Sequence, residues 1–97
     1  MEMPQLLDAA KATAHLPSDL QLGRRIDMAA TQIGMWRRGI YYPRDHKMIE
    51  LCELAEYPPE AGLMWLNAWR ADEKAKPIYE KLARDLEKRA SKSRKAA

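Results

Sequence analysis

Residues that end helices recur along this chain and leave room only for short helices. They are Pro17, Gly39, Pro43, Pro58, Pro59 and Pro77. Between them, apolar side chains recur every three or four residues, and no stretch alternates apolar and polar residues as a half-buried strand does. The sequence therefore predicts an all-α protein of five or six helices, over residues 4–15, 19–26, 30–38, 46–56, from 59 onwards and 78–88.

The length and composition fit one small folded domain in the cytoplasm. The 97 residues are 46% hydrophobic and 32% charged, which is typical of a folded chain. No run approaches the roughly 18 apolar residues of a membrane span, and the first residues do not resemble a signal peptide. The single cysteine excludes an intrachain disulfide, and the periodicity places Cys52 in the core. No catalytic, metal-binding or phosphate-loop pattern is present, so we expect no enzyme, no cofactor and no metal.

The net charge of +3 conceals an uneven distribution. Residues 1–43 contain five basic and four acidic side chains, residues 44–73 contain three and seven, and residues 74–97 contain nine and three. We expect residues 89–97, which are basic and lack acids, to form a disordered tail. That tail either keeps the protein soluble or contacts phosphates.

The segment of residues 20–39 has the pattern of a helix, a three-residue break and a second helix. Gly23 provides the small residue that two closely approaching backbones require, and Asp27 tolerates the left-handed turn that the break needs. Apolar residues that can hold the two helices together are Leu22, Ile26, Met28, Ile33 and Trp36. The sequence therefore predicts a helix–turn–helix unit.

The outer side of the second helix is small and polar. At 100° per residue, Thr31, Gly34, Met35 and Arg38 lie within an arc of about 100°, with Ile33 and Trp36 on the opposite side. Gln32 and Arg37 flank this strip. Such a narrow surface suits close approach to base edges in a DNA major groove.

These residues resemble the helix-turn-helix of the bacteriophage Cro and repressor type. The similar positions are Leu22, Gly23, Ile26, Met28, Ile33, Trp36, the Arg37-Arg38-Gly39 run and Pro43. The whole chain also resembles a small phage-associated family common in filamentous phages. The chain departs from the general motif at Asp27, where glycine is usual, and at Gly23, where alanine is usual.

The resemblance implies a lambda-repressor-like domain with a C-terminal basic helix that binds double-stranded DNA. The positions that would face bases are Ala30, Thr31, Gln32, Gly34, Met35 and Arg38. The positions that would contact phosphates are Ser18, Arg37, Tyr41, Tyr42, Arg44 and Lys47. Glutamine can bond adenine in bidentate fashion, and arginine can do the same with guanine.

Apolar residues outside this segment predict either core packing or a contact with a second copy. They are Met64, Trp65, Trp69, Ile78, Leu82 and Leu86. A helix with as few apolar positions as residues 78–88 is marginal alone, so it must pack on the domain or pair with a copy of itself. We expect residues 1–57 to form the DNA-binding core and residues 58–88 to complete the domain and mediate a homodimer.

Taken together, these features predict a transcriptional regulator, a phage or prophage repressor that binds a two-fold operator as a dimer. The alternative is a protein-interaction module, an antirepressor or anti-activator. In that case the helix-turn-helix would be a scaffold, and the acidic middle and the Trp-rich helix would bind a phage or host protein.

Overall fold

The structure, a computed structural model, describes residues 1–96, with side chains described for residues 1–92. This part of the chain contains six α-helices and no strand, which confirms the predicted all-α class. The helices are α1 (Met3–Thr13), α2 (Asp19–Ile26), α3 (Ala30–Arg37), α4 (Asp45–Leu54), α5 (Pro59–Arg70) and α6 (Lys76–Ala96). The Cα radius of gyration, 13.4 Å, is that of a compact domain of about 100 residues.

Local sequence signals define several helix ends as predicted. The Ser18 hydroxyl accepts a hydrogen bond from the Gln21 amide at 3.2 Å and caps α2. Asp27 ends α2 in the left-handed conformation, with φ 56° and ψ 55°. Gly39 follows α3 with φ 72°, and Pro59 is the first residue of α5. Each of these residues supplies a backbone geometry or acceptor that a helix end requires.

Two helices end two residues before their predicted ends. His15 after α1 and Glu56 after α4 both adopt positive φ, at 57° and 54°. After α1 the chain turns back, so that the Leu16 amide donates to the Lys11 carbonyl at 2.8 Å. Neither end has the glycine that usually marks such a turn, so the sequence did not indicate these positions.

The main hydrophobic core lies between α1, α2, α3, α4 and α5. Trp36 of α3 is 2% exposed and is the largest side chain in it. The other buried members are Met3, Leu6, Leu7, Ala10, Leu22, Ile26, Ile33, Met48, Leu51, Cys52 and Leu66. Four of the five residues predicted to hold α2 and α3 together are therefore buried, and Met28 is half-buried. This packing fixes the inner side of α3 and leaves its other side outward.

Helix α6 is longer than predicted at both ends. It begins at Lys76, two residues before the predicted start, with Pro77 in its first turn, where a missing amide donor costs nothing. It continues to Ala96, so the predicted disordered tail is wrong for residues 89–96; residue 97 lies outside the described part. Lysine, arginine and alanine favour helix, and cations near a helix C-terminus interact favourably with its dipole. No helix in the described part of the chain is both long and apolar enough to cross a membrane.

Helices α5 and α6 pack together along a second, smaller core. Trp65 and Ala68 of α5 are buried against Ala83 of α6, and the guanidinium carbon of Arg84 lies 5.8 Å from the centre of the Trp65 ring. The Tyr57 hydroxyl accepts from the Trp65 indole at 2.9 Å and donates to a carboxylate oxygen of α6 at 2.7 Å. These bonds hold α6 on α5 near the N-terminus of α5.

The opposite end of α5 is attached to the segment between α3 and α4. Arg70 donates to the Pro43 carbonyl, the Trp69 and Tyr42 rings stack with centroids 5.9 Å apart, and the Trp69 indole donates to the Met1 carbonyl at 3.1 Å. Since α5 is about 18 Å long at 1.5 Å per residue, the C-terminal, basic half of α6 lies well away from the α3–α4 loop.

The close approach at Gly23 generates a stability prediction. A Cβ atom added at Gly23 would overlap the carbonyl oxygen of Met28, a backbone atom in the turn after α2. We therefore expect Gly23→Ala to lower the free energy of unfolding by about 1–3 kcal/mol, because the overlap outweighs the higher helix propensity of alanine. Urea unfolding followed by circular dichroism measures this change.

Gly34 is the matched control, since among the described residues no atom lies within 4 Å of a Cβ added there. Gly34→Ala should raise the free energy of unfolding by about 0.5–1 kcal/mol. A Gly23→Ala variant as stable as the parent would contradict the close approach.

Candidate nucleic-acid interface

The outward side of α3 presents the strip predicted from the sequence. Thr31 and Arg38 are exposed, Gly34 and Met35 are half-buried, and Ile33 and Trp36 are buried on the opposite side. Ala30 and Gln32, at the start of α3, are also half-buried. The strip therefore offers a hydroxyl, a thioether and a guanidinium around a position without a side chain. We call Thr31, Gly34, Met35 and Arg38 the α3 strip.

A groove of about 400 Å³ lies between α3, the loop after it and the start of α4. Its lining residues are Met28, Gln32, Trp36, Tyr41, Tyr42, Pro43, Arg44, His46 and Lys47. It brings together one residue predicted to face bases, Gln32, with four predicted to contact phosphates. His46 was not predicted to belong to this site, although its position in the first turn of α4, two residues after Arg44, indicates it. We call this cavity the α3–α4 groove.

The four residues of the groove that are predicted to contact phosphates differ in how available they are to a ligand. Tyr41 is 56% exposed, and Arg44 at the N-terminus of α4 is exposed. Tyr42 stacks on Trp69. The Lys47 ammonium donates to the Ile26 carbonyl and to the Glu50 carboxylate. Tyr41 and Arg44 are therefore the members most available to an outside ligand, whereas Tyr42 and Lys47 also hold the fold.

Two further predicted phosphate residues make internal contacts. The Ser18 hydroxyl caps α2. Arg37 donates from Nε and Nη2 to the two carboxylate oxygens of Asp19, both at 2.8 Å, and its Nη2 lies 2.8 Å from a carboxylate oxygen of Asp8. The Arg37 guanidinium holds the pKa of Asp19 below its ordinary value, and Asp19 raises the pKa of Arg37. The charge of Arg37 is thus directed at α1 and α2.

The residues predicted to contact a second copy separate into two groups. Trp65 is 4% exposed and buried under α6, so it is unavailable to a second copy. Trp69 packs on the main core, and Met64 and Leu86 are half-buried. Ile78 and Leu82, at 63% and 45% exposed, remain on the outer side of α6. Of the six residues predicted to contact a second copy, Ile78 and Leu82 are therefore the two that are exposed.

The lone cysteine lies inside the core. Cys52 is fully buried, and its sulfur lies against Gly62 of α5, where a Cβ would overlap it. Burial is the main cause that raises the pKa of the Cys52 thiol to about 12. A thiol that stays protonated is a poor nucleophile, so Cys52 is a packing residue, as predicted.

Comparison with protein-family models, curated proteins and solved structures finds no match to this chain.

The Arg37–Asp19 pair generates a prediction about acid stability. Because the pKa of Asp19 is lowered from about 3.8 in the folded protein, the pair stabilises the fold above that pH and loses its effect as the pH falls through the lowered value. We expect the free energy of unfolding to fall on acidification below about pH 4, with about 1 kcal/mol from this pair.

Asp19→Asn should remove that part of the acid dependence, measured by thermal unfolding between pH 6 and 2.5. Asp85→Asn, at an exposed position of α6, is the matched control. Identical pH profiles for Asp19→Asn and the parent would show that the pair contributes no stability.

Proposed function

We propose that this protein is a sequence-specific double-stranded DNA-binding regulator of the lambda-repressor-like helix-turn-helix class, similar to phage Cro and repressor proteins. The observation that most supports the proposal is the α3 strip, which is small, polar and outward-facing while the other side of α3 is anchored in the core. A helix held in this way can enter a major groove without disturbing the fold. In this role α3 is the recognition helix.

The chemistry of α3 and its flank suits contacts with base edges. The Gln32 amide can bond adenine in bidentate fashion, the Arg38 guanidinium can bond guanine, and Thr31 or Met35 can pack on a thymine methyl group. Gly34 has open space around it, which lets base edges approach the helix backbone closely. Ala30 lies at the start of the same helix and would contact bases through its methyl group.

The α3–α4 groove suits the DNA backbone beside the bases. Arg44 and Tyr41 offer exposed donors, and Lys47, His46 and Tyr42 line the same cavity. Phosphates bind well to such donors and to the free amides at helix N-termini, here those of α4 and of α2 after Ser18. Arginine and lysine contacts of this kind make affinity fall as salt rises.

The proposed action is repression of a phage or prophage promoter by a dimer that occludes RNA polymerase in the cytoplasm. One recognition helix contacts only a few base pairs, so a second copy on a two-fold operator supplies usable specificity, with half-sites about one DNA turn apart. Ile78 and Leu82 are the exposed apolar residues of α6 that a second copy would cover.

The alternative, a protein-interaction module that binds a partner through the Trp-rich helix, has less support. Trp65 is buried under α6, and Trp69 bonds Met1 and stacks on Tyr42. Both side chains are therefore used within the protein, and α5 lacks the apolar outer surface that this alternative needs.

The recognition-helix proposal is tested by replacing Gln32 and Arg38 with alanine. Each bidentate contact discriminates by about 1–3 kcal/mol, so each variant should bind a selected operator roughly 10- to 100-fold more weakly. Selection of bound sequences from random duplex DNA first provides that operator, and fluorescence anisotropy measures the affinity.

Lys81→Ala, at an exposed cation of α6 outside residues 89–97, controls for the loss of a positive charge, and circular dichroism checks folding. The proposal fails if the parent selects no sequence, or if the double variant Gln32→Ala/Arg38→Ala binds the operator as tightly as the parent.

The dimer surface is tested by placing charges at the two exposed apolar residues of α6. Ile78→Glu/Leu82→Glu should turn a dimer into a monomer, because four carboxylates would meet across a two-fold contact. Sedimentation equilibrium gives the mass, and Ser91→Glu is the control at an exposed polar position of α6. If the double variant remains dimeric, the dimer interface does not include Ile78 and Leu82.

A further inference from the structure

Four charged side chains from three helices meet beside the end of the recognition helix. Arg37 of α3 bonds both carboxylate oxygens of Asp19 on α2 at 2.8 Å and lies 2.8 Å from Asp8 on α1. Lys11 of α1 lies 3.2 Å from Asp19 and 3.9 Å from Asp8. Two cations and two anions alternate, so the group is neutral as a whole. We call these four residues the charge cluster.

The charge cluster closes the open end of the helix–turn–helix unit. Helices α2 and α3 are joined at one end by the turn, where Gly23 packs against the Met28 carbonyl. Asp19 is the first residue of α2 and Arg37 is the last residue of α3, so their ion pair connects the two ends farthest from the turn. The relative direction of α2 and α3 is thus held at both ends.

The pair has the geometry of a strong and directional contact. Two parallel N–H···O bonds from one guanidinium to one carboxylate fix orientation as well as distance. The Arg37 and Asp19 side chains are 23% and 27% exposed, so solvent screens them less than fully exposed ions. A phosphate would have to displace two carboxylates to bind Arg37.

We propose that Arg37 is a positioning residue that sets the direction of the recognition helix and contacts no DNA phosphate. This inference rests on the proposed function. Arg37 adjoins Arg38 of the α3 strip, so a change in the tilt of α3 moves the base-contacting side chains directly. The charge cluster therefore contributes to discrimination between DNA sequences, and its neutrality keeps it out of the salt dependence of binding.

This role differs measurably from that of a phosphate contact. Loss of a phosphate contact weakens binding to every sequence and lowers the slope of log affinity against log salt by about one. Loss of a positioning residue weakens operator binding, leaves binding to random DNA unchanged and leaves the slope unchanged. Arg37→Lys separates the two further, since lysine keeps the charge for a phosphate but cannot form the paired bonds to Asp19.

The experiment compares Arg37→Gln and Arg37→Lys with the parent on operator and random duplexes over a salt series, at a temperature where each protein is folded. We expect both variants to bind the operator about 10-fold more weakly, with random-duplex affinity within twofold of the parent and an unchanged salt slope. Arg24→Gln, at an exposed position of α2, is the matched control for removing one charge from this unit.

Three results would overturn the proposal. One is an equal loss on both duplexes with a slope lower by about one, which would make Arg37 a phosphate contact. Another is full operator binding by Arg37→Lys. The third is unchanged operator binding by both variants, which would leave the charge cluster a purely structural role.

A measurement without DNA separates failure of this inference from failure of the proposed function. If the parent selects no DNA sequence, the function proposal fails, and amide hydrogen exchange in α3 still tests the cluster. Asp19→Asn and Arg37→Gln should each speed exchange in α3 about 10-fold, and the effect of the double variant should be well below the sum of the two. Additive effects of the two changes would show that the residues act separately and overturn the inference.

Discussion

The backbone contact between Gly23 and the carbonyl of Met28 is the constraint on which the rest of the structure depends. It brings α2 against the turn that starts α3, and that turn requires the left-handed Asp27. Because α3 begins directly after this turn, Ile33 and Trp36 are buried in the core and the α3 strip faces outward. A Cβ atom at residue 23 would overlap the Met28 carbonyl oxygen unless the turn shifted. The direction of α3, on which the proposed DNA contacts depend, is thus set partly at Gly23.

The second half of the chain supports the first and adds a separate surface. Through Trp69 and Arg70, α5 holds the α3–α4 loop at one end, while α6 covers Trp65. The basic C-terminal half of α6 lies toward the other end of α5. Charge is therefore unevenly distributed along the fold: acidic side chains follow along α4, and eight of the 17 lysine and arginine residues lie on α6.

Much of the fold follows from short-range patterns, whereas the roles of several site residues do not. The α2 cap at Ser18, the turn at Asp27 and the outward direction of Thr31 and Arg38 each depend on neighbours within a few residues, so the sequence predicted them. The helix ends at His15 and Glu56 were missed because a non-glycine residue takes the left-handed conformation there. The continuation of α6 through residues 89–96 was missed because its charge pattern favoured disorder over helix propensity.

The sequence by itself determined the helical class, the helix–turn–helix unit and the composition of the α3 strip, because these depend on local backbone preferences and helical periodicity. Only the tertiary structure decided what Arg37, Lys47 and Trp65 do. Asp19 is 18 residues from Arg37, Ile26 is 21 residues from Lys47, and the α6 helix that covers Trp65 begins 11 residues further on. Whether a cation faces DNA or a carboxylate, and whether an indole faces solvent or a neighbouring helix, depends on which distant side chain the packing brings within contact distance.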